Sequence, residues 1–156
     1  MVDGGVLRPA ICGEEYESRI ADTAIQAGGY VLKMVTATGH VDLCGADERV
    51  WGIATKSTKE YVGDGLGGGA WTAVITKPVQ IQREGEALVQ LLAANAAIVY
   101  GDTLQSTAGG TCDLITYVGG TPTLIELRSI VGRALEKQGG SSGSGVIKVM
   151  LAIQHC

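Results

Sequence analysis

Val146-Ile147-Lys148-Val149-Met150-Leu151-Ala152-Ile153-Gln154 is the stretch that decides the fold class. Ile147, Val149, Leu151 and Ile153 share one face, and Lys148 and Gln154 share the other. That is the period of two that a half-buried strand requires. Working back along the chain, apolar runs are short and glycine separates them, at residues 139–145, Gly119-Gly120, Gly109-Gly110, Gly101-Asp102 and residues 63–69. Glycine makes up 24 of 156 residues, about twice its usual share. Hydrophobic residues are 46% and charged residues 18%, which excludes a wholly disordered chain. These features predict a mainly β protein with minor α content: short strands and tight turns in a small barrel-like or β-tulip domain.

Other strands follow from the same reading. Residues 30–36 are β-rich and lead through Thr38-Gly39 into residues 41–44, and residues 50–55 form a short apolar run. Residues 71–83 alternate in part, with Pro78 marking an edge position or a bulge. Two stretches stay open. Residues 87–98 can form a helix, because Ala and Leu favour it. Residues 124–135 satisfy a helical template through Leu124, Leu127, Val131 and Leu135, and a strand template through Ile125, Leu127, Val131 and Leu135.

The N-terminal residues read differently. Asp3-Gly4-Gly5 and Arg8-Pro9 break structure, and Val6, Leu7, Ile11, Tyr16 and Ile20 are apolar without a sustained period. The chain therefore divides into an N-terminal arm, residues 1–25, and a β-rich domain, residues 26–156. Composition leaves open whether the arm frays or orders on a partner.

No constellation points to catalysis, and no enzyme is expected. Gly63-Asp64-Gly65-Leu66-Gly67-Gly68 satisfies the dinucleotide-binding pattern but has no buried strand before it and no helix after it, so it reads as a hairpin or surface loop. Gly139-Gly140-Ser141-Ser142-Gly143 matches a nucleophile elbow yet runs into a strand. Glu84 with Glu86, and Glu14 with Glu15, read as solvated turns rather than acid/base pairs. Cys12, Cys44, Cys112 and Cys156 contain no close pair, and His40 with Cys44 is the nearest approach to a ligand spacing. No metal and no cofactor are expected, and the cysteines read as small hydrophobes.

With 12 basic and 16 acidic residues the net charge is −4, and no basic run could track a phosphate backbone, so nucleic acid is not an expected partner. The start of the chain lacks a basic region followed by an apolar stretch, and the longest apolar window is too short to span a bilayer. A soluble protein with no membrane partner is expected.

A series of segments carries a resemblance. It runs Val50-Trp51-Gly52-Ile53-Ala54, Gly85-Glu86-Ala87-Leu88-Val89, Ile98-Val99-Tyr100-Gly101-Asp102-Thr103-Leu104, Ile130-Val131-Gly132-Arg133-Ala134-Leu135-Glu136 and residues 145–153. In this order, over residues 26–153, the series resembles the head-decoration (capsid cement) proteins of tailed viruses, the family that includes the decoration protein of phage lambda. The resemblance implies a homotrimer that binds the outer surface of the expanded capsid at three-fold or quasi-three-fold positions and stabilises it. It implies a virion location, the major capsid protein as partner, and a strand rather than a helix over Ile130–Glu136. The N-terminal segment, with Val6, Leu7, Ile11, Tyr16 and Ile20, would dock on the shell by strand addition. The alternative is a small carbohydrate- or ligand-binding β module, with Trp51, Trp71 and Tyr61 as a stacking platform.

Overall fold

The computed structural model describes residues 16–63, 66–93, 97–116, 120–138 and 145–153. Five strands close a barrel in the order β1 (Tyr16–Ala21), β3 (His40–Leu43), β2 (Val31–Val35), β4 (Gly52–Ala54) and β7 (Lys77–Gln82). A second sheet runs β10 (Thr111–Leu114), β9 (Thr103–Thr107), β11 (Ile130–Ala134), β12 (Val146–Leu151) and β8 (Glu86–Gln90). It curls until Leu91 bridges Cys112, joining its two outer strands. The two-stranded sheet β5 (Lys59–Gly63) and β6 (Gly69–Ala73) is the third piece, and the helix α1 (Leu124–Arg128) precedes β11. The protein is mainly β with a closed five-stranded barrel and minor α content, as the glycine-punctuated runs predict.

Alternation along shared strands builds two cores. On β2, Leu32 points into the barrel and Val31 points to the second sheet; on β4, Ala54 and Ile53 divide in the same way. The barrel interior is completed by Ala21, Ile25, Val41, Val79 and Ile81. The other core joins Val31 and Ile53 to Val89, Leu104, Val131, Ile147 and Val149 of the second sheet. β2 and β4 are thus buried on both faces, which ties the two sheets into one unit.

Two glycines of the segments that carry the resemblance, Gly52 and Gly132, sit where strands approach closely. A Cβ at Gly132 on β11 would collide with the Met150 carbonyl oxygen on β12, and one at Gly52 on β4 would collide with the Ile81 side chain on β7. Neither position has room for a larger residue.

Four expectations change or resolve. The 1–25 arm boundary is corrected: Tyr16–Ala21 is barrel strand β1, paired antiparallel with β7 from Tyr16↔Gln82 to Ala21↔Lys77, and Ala21 and Ile25 are fully buried. Residues before Tyr16 lie outside the described residues. The helix-compatible segment after Gly85 begins as strand β8, because Ala87 and Val89 pair with Val149 and Ile147 on β12. Such cross-strand burial outweighs the helical preference of Ala and Leu. Residues 124–135 fit both templates because they hold both elements in turn. Thr123 caps α1 through a reciprocal pair with Glu126, and the chain re-enters a sheet at Ile130. Pro78 sits on β7 opposite Ile20, beyond the stretch where β4 pairs on the other side, so its missing N–H interrupts no ladder there.

Candidate interaction surfaces

Among the described residues, the β5–β6 hairpin carries a group of exposed large apolar side chains. Its register pairs Tyr61 with Trp71, Val62 with Ala70 and Gly63 with Gly69. Tyr61 and Trp71 therefore share one face and Val62 takes the other. The two rings meet edge to face, 5.8 Å between centroids at 61°. Tyr61 also lies across the glycine at the opposite corner: a Cβ at Gly69 would stand 2.5 Å from its hydroxyl oxygen. An aromatic ring covering a cross-strand glycine stiffens a ribbon that glycine alone would leave loose. Trp71 is 68% exposed, Tyr61 54% and Leu66 near the tip 91%, with Val62 and Ile75 also exposed.

A buried threonine joins this hairpin to the barrel. Thr58 Oγ1 donates to the Val74 carbonyl at 2.7 Å and accepts the Ile25 N–H at 3.0 Å, while the Thr58 N–H donates to the Ile25 carbonyl at 2.9 Å. Lys77 and Glu60 add an ion pair at 2.6 Å between β7 and β5. The hairpin therefore projects from a fixed base.

A second apolar surface lies on the outer face of the second sheet. Its inward-facing residues fill the core, so Leu88, Val146 and Met150 face outward. Beside them Tyr100, 74% exposed, borders a groove of about 300 Å³ lined also by Arg133, Leu135, Met150 and Ala152.

Of the residues expected in a docking arm, Tyr16 and Ile20 lie on β1, Tyr16 exposed and Ile20 half-buried. Val6, Leu7 and Ile11 lie outside the described residues. The expected aromatic platform divides. Tyr61 and Trp71 come together on the hairpin, but Trp51 stands before β4 with the Arg83 guanidinium 4.1 Å and the Arg19 guanidinium 5.5 Å from its ring centroid. Glu17 on β1 accepts the Trp51 indole N–H and the Arg19 Nε–H, and pairs with Arg83 at 3.6 Å. These charges pin β1 to the barrel wall, and the half-buried Trp51 borders a separate hollow of about 180 Å³ with Met34, Thr36 and Arg49.

The remaining chemical candidates also separate. His40 Nδ1 lies 2.6 Å from Asp22 Oδ1, whereas Cys44 is buried in the core. Among the described residues no group of three or more His, Cys, Asp or Glu could hold a metal ion. Burial pushes the Cys44 thiol up to about 11 and the Cys112 thiol up to about 12, so both stay protonated and unreactive at neutral pH. Glu86 pairs with Lys148 at 3.6 Å across β8 and β12. Of the dinucleotide-like run, Gly63 ends β5, and Gly67 and Gly68 lead into strand β6 rather than a helix; Asp64 and Gly65 lie outside the described residues. The serine-containing glycine run, Glu14, Glu15, Cys12 and Cys156 lie outside the described residues.

Sequence reading places residues 63–68 in a hairpin or surface loop but misses Val62 and Ile75 as surface residues, and the Tyr100 groove with them. A period of two locates a face without saying whether another sheet covers it. Clustered apolar side chains flanking that glycine-rich segment are the signal that could have marked the hairpin as an exposed apolar surface.

No protein-family model and no curated protein matches the chain. Among solved structures, the chain is similar to the N base of the head fiber protein gp8.5 of bacteriophage phi29. The TM-score is 0.53 and the identity 13%, over 90% of this chain and 96% of that one. The fold is shared over nearly the full length of both.

Proposed function

We propose that this chain is a structural protein of a phage virion, a capsid decoration protein that attaches to the outer surface of the expanded head as a homotrimer. It sits at three-fold or quasi-three-fold positions, stabilises the shell and catalyses no reaction. The observation that carries this reading is the fold shared with the base of a phage head fiber over 90% of the chain. The order of glycine-cornered segments that resembles the cement proteins supports it independently.

The physical chemistry suits such a role. Among the described residues, exposed apolar side chains lie on a projecting ribbon and on the face of a sheet, both of which favour contact with another protein surface. Residues before Tyr16 dock on the major capsid protein by strand addition, with Val6, Leu7 and Ile11 as apolar anchors. Strand addition draws affinity from main-chain hydrogen bonds, so such a segment needs extended residues more than a fixed motif. Three such segments on one trimer raise each other's effective concentration at the shell, offsetting the entropy lost on ordering them. The protein needs no cofactor, nucleic acid or membrane for this.

Co-sedimentation of the purified full chain with empty expanded shells of its own phage tests the reading, with light scattering to fix the oligomeric state. Saturation at a fixed ratio of trimers to capsid subunits is expected. A chain that ignores shells, or a monomer that binds a glycan on Tyr61 and Trp71, overturns it.

A further inference from the structure

We propose that the β5–β6 hairpin is an assembly knob that seats in the Tyr100–Met150 groove of a second copy of this chain. The inference rests on the trimeric reading above and supplies the contact that would build it.

Area is the first argument. Tyr61, Val62, Leu66, Trp71 and Ile75 are all more than half exposed. Together they expose on the order of 600 Å², polar atoms included, spread over both faces of the ribbon and the segment that follows it. This approaches the share, about 800 Å², that one partner contributes to a stable interface. The knob is apolar on both faces, because Tyr61 and Trp71 occupy one and Val62 the other. The groove, about 300 Å³, has room for one leading side chain of the ribbon, the Trp71 indole.

The occupant follows from what the same chain carries elsewhere. Tyr100 and Met150 border a mainly apolar concave groove, which the exposed Lys148–Glu86 pair separates from Leu88 and Val146 on the same sheet. One convex and one concave apolar surface on a single chain define a head-to-tail contact. Such a contact uses each surface once per protomer, and closing it into a ring of three leaves neither bare. A second copy is present from synthesis onward, whereas a capsid lattice would leave both surfaces in water until the head expands.

Rigidity is the third argument. The Thr58 clasp, the Lys77–Glu60 pair and the Tyr61 ring over Gly69 fix the ribbon before any partner arrives. A preformed knob loses little conformational entropy on docking.

Two full-length variants test the contact: Trp71→Glu in the knob and Tyr100→Glu in the groove. Both positions are exposed, so far-UV circular dichroism should match the unaltered chain. Light scattering should show the unaltered chain as a trimer and each variant as a monomer, with association weakened at least about 100-fold. Mixing the variants is decisive, because each keeps the surface the other has lost. The mixture should form a 1:1 dimer that cannot close into a ring.

Trimers that survive both substitutions, or a mixture that stays monomeric, overturn the inference. If Trp71→Glu abolishes shell co-sedimentation while the trimer persists, the hairpin touches the capsid instead, and only this inference falls. If the variants behave as expected but the unaltered trimer ignores shells, the contact stands and the decoration role falls.

Discussion

The guanidinium of Arg83, the residue after β7, lies 4.1 Å from the centroid of the Trp51 ring, and the Arg83 residue is 1% exposed. Glu17 on β1 closes the arrangement by accepting the Trp51 indole N–H and pairing with Arg83. Three segments of the barrel wall therefore meet through one indole, two guanidiniums and one carboxylate.

This geometry separates two substitutions at Trp51. Trp51→Phe keeps an aromatic face for the guanidiniums but loses the N–H donated to Glu17, at a cost of about 1–2 kcal/mol. Trp51→Leu removes the face as well and should cost about 3 kcal/mol. Urea unfolding followed by circular dichroism gives the two values. Equal costs would mean that the stacked cations contribute nothing beyond packing.

The position of β1 sets where the chain can be shortened. Removing residues 1–15 should leave the thermal transition and the trimer intact while abolishing co-sedimentation with shells. Removing residues 1–20 takes away nearly all of β1, strips β7 of its antiparallel partner and breaks the Glu17 contacts. That shorter chain should lose its cooperative transition. If it unfolds as sharply as the full chain, β1 is an accessory strand and the barrel does not need closure.

How far the sequence was legible depended on whether a residue's partner lay within the window being read. β12 was plain, because Ile147 and Val149 alternate with Lys148 in one run. The end of α1 was hidden in a stretch with two valid periods, although Thr123-x-x-Glu126 is a capping pair readable without a structure. β1 escaped because Glu17 and Arg19 resemble a solvated leader until Trp51 and Arg83 arrive from distant positions to meet them. For the surfaces, Tyr61 and Trp71 were visible as aromatics. Their adjacency depends on the hairpin register, Tyr61 opposite Trp71, which neither strand shows when read alone.

The buried cysteines make stability fall in alkaline solution. Both thiols have an ordinary pKa of 9.0, raised by burial to about 11 for Cys44 and about 12 for Cys112. Below pH 9.0 both states hold their protons and stability is level. Above it the unfolded chain ionises while the folded chain cannot, so the unfolded state gains and stability drops until the folded pKa values are passed. The urea midpoint should fall more steeply above pH 9.0 in the unaltered chain than in a Cys44→Ala, Cys112→Ala variant. Site-resolved alkylation at pH 8 should leave both residues unmodified unless urea is added. Modification in the native protein would place the thiols nearer solvent than the core around them allows.

Thr58 makes the last prediction, and it bears on the hairpin as a rigid element. Its side chain is 4% exposed, and its hydroxyl both donates to Val74 and accepts from Ile25, joining the β5–β6 hairpin to the segment that follows β1. Thr58→Val preserves the shape and removes the hydroxyl, leaving the Ile25 N–H without its acceptor. The cost of such a loss is about 1–3 kcal/mol. Thr58→Ser keeps the hydroxyl and loses only a methyl, costing about 1 kcal/mol. Hydrogen exchange divides the effect further. In Thr58→Val, amides of Lys59–Gly63 and Gly69–Ala73 should exchange faster while those of β12 keep their protection, because the hairpin then opens without the barrel. If Thr58→Val speeds exchange evenly through both sheets, the threonine holds the core as a whole, and the hairpin has no separate hinge at its base.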